Sequence, residues 1–238
     1  MKSVFFIFIY KQLSFLITVI LFLSCNSDNN RNYYNISPID AAMQLTDQDN
    51  NGTDNSSKAD SVQIGNQIWM TENLNAACFQ NGDTIPVAYT HEDWDIACDQ
   101  KRPVCTFYDF NTEYAEKYGR LYNWYAVIDT RELAPEGWAI ATRNDYVYLL
   151  GNLSEEDSLV YISMLEGGKS GFNAQLSGFY FMNQFRGIEN SVCYWTSTDY
   201  DEDHAWDLRN FPYVKEIEID AHVKEMGLAV RCLKVFTE

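Results

Sequence analysis

The chain has 238 residues, with 17 basic and 34 acidic side chains and a formal net charge of −17 at pH 7. So large an acidic excess repels phosphate backbones and anionic headgroups, which excludes nucleic-acid binding and adhesion to a membrane through a basic patch. It suits solubility, cation binding, or neutral sugar and peptide partners.

The first 24 residues read as an export signal. Lys2 and Lys11 precede the apolar run Leu13 to Leu23, and Ser24-Cys25 closes it. A charged start, a short apolar middle and a small residue at the cut form the signal-peptide pattern. The run is about half the ~20 residues of a spanning helix, although Val4 to Ile9 brings the segment closer to that length and leaves a retained anchor as the rival reading. Ser24-Cys25 resembles a bacterial lipoprotein signal, in which the cysteine is acylated and becomes the new N-terminus. Cys25 is therefore the candidate lipidation site. The expected address is the cell envelope, anchored by lipid in the outer membrane of a Gram-negative bacterium. Residues 1–24 hold two lysines and no acids, so the chain beyond them carries 15 basic and 34 acidic residues, a charge of −19.

Residues 25–60 read as a flexible polar spacer. Asp47, Asp49, Asn50, Asn51, Gly52, Asp54 and Asn55 set its character, and such a composition buries too little apolar surface to offset the entropy of ordering. Ser37 to Leu45, with a serine to cap and a proline in the first turn, is a candidate short helix within it.

Residues 61–238 are one ordinary domain, large enough to bury roughly 70% of its unfolded surface. Val62 to Trp69 alternates apolar and polar residues around Gly65-Asn66, which predicts a hairpin. Gln80 to Pro86 has turn chemistry around Asn81-Gly82. The spacing of Tyr114, Tyr118, Leu121, Tyr122 and Tyr125 predicts a helix in the second half of residues 112–127. Ala134 to Trp138 reads as a loop. Thr142 with Asp145 marks a helix start that runs through Tyr148, Leu149 and Leu150. Beyond Gly167-Gly168 the pattern turns to short strands: Phe172 to Tyr180, Val192 to Thr198, Ala205 to Arg209, Val214 to Ile219 and Leu228 to Leu233. Short helices followed by a mostly antiparallel sheet make the class α+β.

Five cysteines follow Cys25: Cys78, Cys98, Cys105, Cys193 and Cys232. In an oxidising envelope cysteines pair, and an odd number leaves at least one over. Disulfide candidates are Cys98, Cys105, Cys193 and Cys232. A Cys98–Cys105 link would close a short loop. A Cys105–Cys232 link would close a long one, contributing about 4 to 5 kcal/mol in the chain-entropy account. Sequence does not choose between them. No spacing of cysteine and histidine supports zinc.

Asp199, Asp201 and Asp203 alternate in one loop and are the candidate metal ligands, with calcium as the cofactor they suit; a solvated acidic turn is the competing reading, because hard cations take six to eight oxygens. Trp138, Trp195 and Trp206 are the candidates for stacking on sugar rings, against the plainer role of core packing. His91, His204 and His222 are scattered, and no nucleophile elbow or phosphate loop appears. The expectation is a non-enzymatic module.

Six segments recur in the order of a known family. They are Ile64 to Asn75, Tyr118 to Val127, Leu133 to Thr142, Gly171 to Ala174, Tyr194 to Thr198, and Gly227 to Cys232. Together they resemble the Fibrobacter succinogenes major paralogous domain, over about residues 62–236. The resemblance implies a C-type lectin-like fold, secreted or lipid-anchored proteins of the Bacteroidetes and Fibrobacteres, and no assigned activity. Ala139 and Ala141 depart from it, standing where histidine and proline are usual. The functional expectation is a lipid-anchored envelope module that binds glycan or protein; the alternative is an adhesin-like component of a surface assembly.

Overall fold

The structure is a computed structural model that describes residues 60–153, 157–211 and 215–235. The signal segment, Cys25, the spacer and the candidate helix at Ser37 to Leu45 lie outside the described residues. Among the described residues no helix is long and apolar enough to cross a membrane.

The predicted hairpin forms. Strand β1 (Ser61–Ile64) pairs antiparallel with β2 (Gln67–Met70), Ile64 facing Gln67 across the Gly65-Asn66 turn. Gly65 has φ +58, and a Cβ there would come within 2.8 Å of Asn152 Oδ1, so the turn requires glycine. Next comes α1 (His91–Asp99), which the hydrophobic pattern did not announce. Its start is built like the helix that sequence did find. The Thr90 hydroxyl accepts from the Asp93 amide at 3.1 Å and donates to the Asp93 carboxylate at 2.8 Å, and acids fill the first turn, where the helix dipole favours them.

The predicted helix in residues 112–127 is broken up. After β3 (Cys105–Thr106), a turn of 3-10 helix leads into the four-residue α2 (Ala115–Tyr118). Gly119 then takes φ +72, where a Cβ would meet the Leu74 carbonyl at 2.8 Å. Strand β4 (Leu121–Tyr122) pairs with β3, and only then does the short α3 (Trp124–Val127) begin. The reason is local competition. The Asn123 side chain caps α3 by accepting from the Ala126 amide at 3.1 Å and also takes the Val104 amide at 3.1 Å. Gly119 ends the first helix, and the Asn123 side chain, bonded to backbone in this way, begins the next.

Strand β5 (Trp138–Ile140) leads to α4 (Arg143–Gly151), which has the predicted Thr142 cap and first-turn acid, and here the Asp145 carboxylate also takes the Thr142 amide to complete a capping box. Helix α5 (Asp157–Met164) follows. Strands β6 (Ser177–Phe181) and β7 (Gln184–Ile188) form a hairpin. Strands β8 (Cys193–Asp199), β9 (His204–Phe211) and β10 (Glu216–Val223) form an antiparallel sheet in the order β10-β9-β8. The last strand, β11 (Cys232–Lys234), returns to the start of the domain and gives a sheet in the order β1-β2-β11-β5.

Just before β11, residues 227–229 tie the parts together. Gly227 bridges to Tyr180, Leu228 to Tyr122 and Ala229 to Tyr194. Alternate residues of β8 and β9 then enter different cores: Cys193, Trp195 and Ala205 in one, Tyr194 and Leu208 in another. Period two accounts for this division, and it holds where both sides of β8 are covered; on β10 the alternate residues Glu216, Glu218 and Asp220 are exposed. The domain is α+β, with short helices and antiparallel sheets.

Candidate functional site

At the centre lies a buried cation with neutral partners. Arg231 is wholly buried. Its Nη1 donates to the carbonyls of Met70 at 2.8 Å and Phe172 at 2.6 Å. Its Nη2 donates to Asn73 Oδ1 at 2.7 Å, the Tyr194 hydroxyl at 3.0 Å and the Asn173 carbonyl at 3.2 Å. The rings of Phe172 and Tyr194 lie against the guanidinium at 4.6 and 5.3 Å. Tyr194 in turn donates to Asn73 Oδ1 at 2.8 Å, and Asn73 Nδ2 donates to the Tyr118 carbonyl at 3.0 Å. Five of the six recurrent segments thus supply one knot. A buried charge is tolerated where hydrogen bonds answer it; both Nη groups are answered in this way, while the buried Nε has no hydrogen-bond partner among the described residues, and the segments that converge here encode architecture.

A cleft opens on the outer side of that knot. It has a volume of about 310 Å³, a floor of Leu165, Ala174 and Leu176, and polar walls from Lys117, Tyr118, Glu166, Gln175 and Glu189. Gln175 joins cleft to knot: its Oε1 accepts from the Asn73 amide at 2.6 Å, and its carbonyl accepts from Asn73 Nδ2 at 3.2 Å. Across the cleft the Tyr118 hydroxyl donates to Glu189 Oε1 at 3.0 Å, and Lys117 Nζ approaches the same oxygen at 3.5 Å. The ammonium also lies 4.8 Å from the Tyr118 ring centre. Burial is the main cause that raises the Tyr118 hydroxyl above the usual tyrosine value, which keeps it a donor. Glu189 sits at φ +59, and its amide donates to the Leu176 carbonyl at 2.8 Å. A non-glycine residue held there costs of order 1 kcal/mol or more, and such strain clusters at functional sites.

From Tyr118 a row of rings leads away along β7. Tyr118 lies 5.9 Å from Tyr114, Tyr114 5.8 Å from Tyr108, Tyr108 5.3 Å from Phe185, and Phe185 4.8 Å from Phe110. Phe110 and Asp109 have φ of +55 and +56, a genuine outlier for a bulky side chain.

The acidic loop is arranged differently from the expectation of a calcium site. Its centre is filled by Lys224, whose Nζ lies 2.7 Å from Asp199 Oδ1 and donates to the carbonyls of Asp201 at 2.7 Å and Glu202 at 2.9 Å. Asp201 turns its carboxylate to its own loop, taking the Asp203 amide at 2.9 Å and the His204 amide at 2.8 Å. The Asp203 side chain is exposed. Among the described residues no three of His, Cys, Asp or Glu converge on a point where a metal ion would sit.

Of the tryptophans expected to stack on sugars, Trp195 is wholly buried and its Nε1 donates to the Tyr122 carbonyl at 2.9 Å. It is a core residue and offers no face to a ligand. Trp138 is half-buried and packs against the same core. Trp206 is half-buried, with the Arg143 guanidinium 4.4 Å from its ring and Tyr200 edge-on at 5.0 Å.

The cysteines make none of the expected pairs in this structure: Cys98, Cys105, Cys193 and Cys232 are buried thiols and Cys78 is an exposed one. Cys98 is engaged otherwise, contacting Asn123 Nδ2 at 3.7 Å and the Glu225 carbonyl at 3.8 Å, and Cys105 receives Arg120 Nη1 at 3.6 Å. His222, unplaced from sequence, meets the buried Asp207 carboxylate at 2.5 Å, with Arg209 beside both.

The family model described as the Fibrobacter succinogenes major domain matches residues 62–234. The chain belongs to that family. No curated protein and no solved structure matches it. Within this member of the Fibrobacter succinogenes major domain family, the knot draws on segments that carry the family resemblance. The cleft draws Glu166, Gln175 and Glu189 from between them. Sequence reasoning missed these residues because they are far apart in the chain and follow no periodic pattern.

Proposed function

We propose that this protein is a lipid-anchored binding module of the cell envelope that recognises glycan through the cleft between Tyr118 and Glu189. The observation that carries the reading is the cleft's composition: an apolar floor, an aromatic hydroxyl, two carboxylates, an ammonium and an amide within about 310 Å³. Ligand sites combine an apolar surface with a few placed polar groups in this way, and begin at about this size. The ring row continuing from Tyr118 supports the same reading, since aromatic surfaces suit the C–H faces of sugars. The proposed fold relationship to C-type lectin-like domains is supported by β1, β2 and β11 sharing a sheet, so that both ends of the domain meet; this part is analogy of fold. The proposed address is the outer membrane of a Gram-negative bacterium, with acylated Cys25 as anchor and residues 25–60 as spacer. Acidic surface charge makes a phosphate-rich partner unsuitable.

Full-length protein in detergent, applied to a glycan array, tests the binding reading. Binding that falls at least tenfold in Glu189→Ala and in Tyr118→Phe supports it. An array silent for the wild-type protein rejects it, and capture of a peptide by the same cleft replaces glycan with protein as ligand. Radiolabelled palmitate incorporated by the wild-type chain and not by Cys25→Ala supports the anchor.

The adhesin-like reading has one observation in its favour. Cys78 is the exposed thiol among the five described cysteines, and would be the residue available for a link between chains. Monomer alone on non-reducing gels of envelope material removes that support.

A further inference from the structure

The groups lining the cleft also bear on which saccharide it takes, an inference that rests on the cleft reading above. Among the described residues that line it, Lys117 is the one cation. That ammonium faces Glu189 at 3.5 Å and the Tyr118 ring at 4.8 Å, so its charge is already answered by a carboxylate. Glu166 is a second carboxylate in the lining of the cleft. The cleft therefore carries more negative than positive charge, in a chain whose net charge is −17. The Glu189 Oε1 atom is an acceptor shared by a hydroxyl and an ammonium. Its backbone stands at φ +59, where the Glu189 amide donates a hydrogen bond to the Leu176 carbonyl. A carboxylate held in place is suited to accept from neighbouring sugar hydroxyls, because hydrogen bonds to an ionised acceptor are roughly twice as strong as neutral ones.

We infer that the cleft selects uncharged, hydroxyl-rich saccharides, and that Glu189 is the specificity-determining residue that turns acidic saccharides away. Discrimination of this kind comes as much from repelling the wrong ligand as from holding the right one. A sulfate or uronate placed against Glu189 and Glu166 meets like charge, and the cation that would offset it is committed to Glu189. Replacing Glu189 by glutamine keeps the shape, removes the repulsion and leaves Lys117 without its carboxylate.

The test uses matched pairs of immobilised oligosaccharides: each neutral chain beside the same chain oxidised at C6 to the uronate, and beside its O-sulfated form. Wild-type full-length protein is expected to bind the neutral member about tenfold more tightly than either acidic one, the scale of a unit-charge repulsion near a protein surface. Glu189→Gln is expected to narrow or reverse that ratio, and the ratio should shrink for wild type in high salt. Equal or preferential binding of acidic chains by the wild-type protein overturns the inference while leaving the cleft as the site. So does a ratio unmoved in Glu189→Gln. Leu176→Trp, which fills the cleft, separates the two claims: saccharide binding unchanged in that variant means the ligand sits elsewhere, and both readings fall. Circular dichroism of each variant shows whether it has folded.

Discussion

Two buried cations hold this domain together, and they do so by different means. Arg231 is wholly inside, and its named partners are three backbone carbonyls, an amide oxygen, a hydroxyl and two aromatic faces. Lys224 lies near the surface with an 8% exposed side chain, and its partners are one carboxylate, two loop carbonyls and the ring of Trp124. The difference teaches where each charge is replaceable. Arg231 connects segments that are far apart in sequence, and no solvent is at hand to take its place. Lys224 organises one loop, and its site borders water that could carry a mobile cation.

The largest effect should follow removal of the interior charge. Arg231→Met takes the guanidinium donors from the Met70, Phe172 and Asn173 carbonyls, each with a desolvation cost of about 1 to 3 kcal/mol, and leaves the Asn73 amide oxygen with the Tyr194 hydroxyl. Breaking buried charge arrangements typically costs about 3 to 5 kcal/mol. For a domain of this size that lowers the melting temperature by roughly 6 to 20 °C, which calorimetry reads. Asn73→Ala removes an acceptor shared by Arg231 and Tyr194 and should cost less, about 2 kcal/mol. An Arg231→Met protein that melts like the wild type would show that packing of Phe172 and Tyr194, and not the hydrogen bonds, holds the knot.

Next in size is Lys224. Lys224→Ala leaves Asp199 without its ammonium and two loop carbonyls without a donor, a loss of about 1 to 3 kcal/mol. Millimolar calcium should restore part of that loss in the variant, because the vacated oxygens are the kind calcium prefers, and should leave the wild-type melting temperature unchanged. A calcium-dependent rise in the wild-type protein would show that the loop holds a metal beside its lysine.

The contrast between the two cations is also a contrast in what sequence makes legible. Rules that act within four residues were readable. The Thr142 cap with its first-turn acid and the Gly65-Asn66 turn stand as predicted, because a capping hydroxyl and a glycine at positive φ need no distant partner. The Thr90 cap of α1 is equally local: its hydroxyl accepts from the Asp93 amide three residues on. Tyr114, Tyr118, Leu121, Tyr122 and Tyr125 mimicked one helix because their spacing fits 3.6 residues per turn. Tertiary pairing of Leu121 and Tyr122 with β3 and Leu228 overrode it. Arg231 was visible as part of a recurrent segment, while its convergence with Asn73 and Tyr194 was not. Lys224 was invisible as a counter-ion, being 21 residues beyond the Asp203 end of its loop. Trp195 looked like a stacking residue because a strand pattern does not say which of its faces is covered, and at β8 both are, Trp195 entering one core and Tyr194 the other.

A third effect is expected at alkaline pH. Burial pushes the thiols of Cys98, Cys193 and Cys232 up to about 12, and raises that of Cys105. In the unfolded chain a thiol ionises near 8.5. A group whose folded value is raised contributes stability that is intact below the unfolded value and is lost as pH climbs toward the folded one. Stability should therefore fall between about pH 8.5 and 12, beyond what tyrosine ionisation alone produces. Replacing Cys193 by alanine, a smaller side chain in the same core, should cost stability at neutral pH and soften the alkaline fall.

The smallest effect separates two chemistries of the same thiols. Iodoacetamide at pH 8, without reductant, should modify Cys78 within minutes and the four buried cysteines only on the timescale of local opening, because alkylation needs an exposed thiolate. Denaturant should then expose four further thiols for labelling, read by mass spectrometry of peptides. Fewer than four, with Cys98 and Cys105 or Cys105 and Cys232 missing together, would mean that export has oxidised a pair that stands reduced in this structure. Such a pair would add covalent closure to the core that contains Cys105 and Cys232, and would raise the stability of the wild type and of Arg231→Met alike by constraining the unfolded chain. The labelling pattern therefore fixes the reference state against which the larger effects are measured, and it should be obtained from protein taken from the envelope.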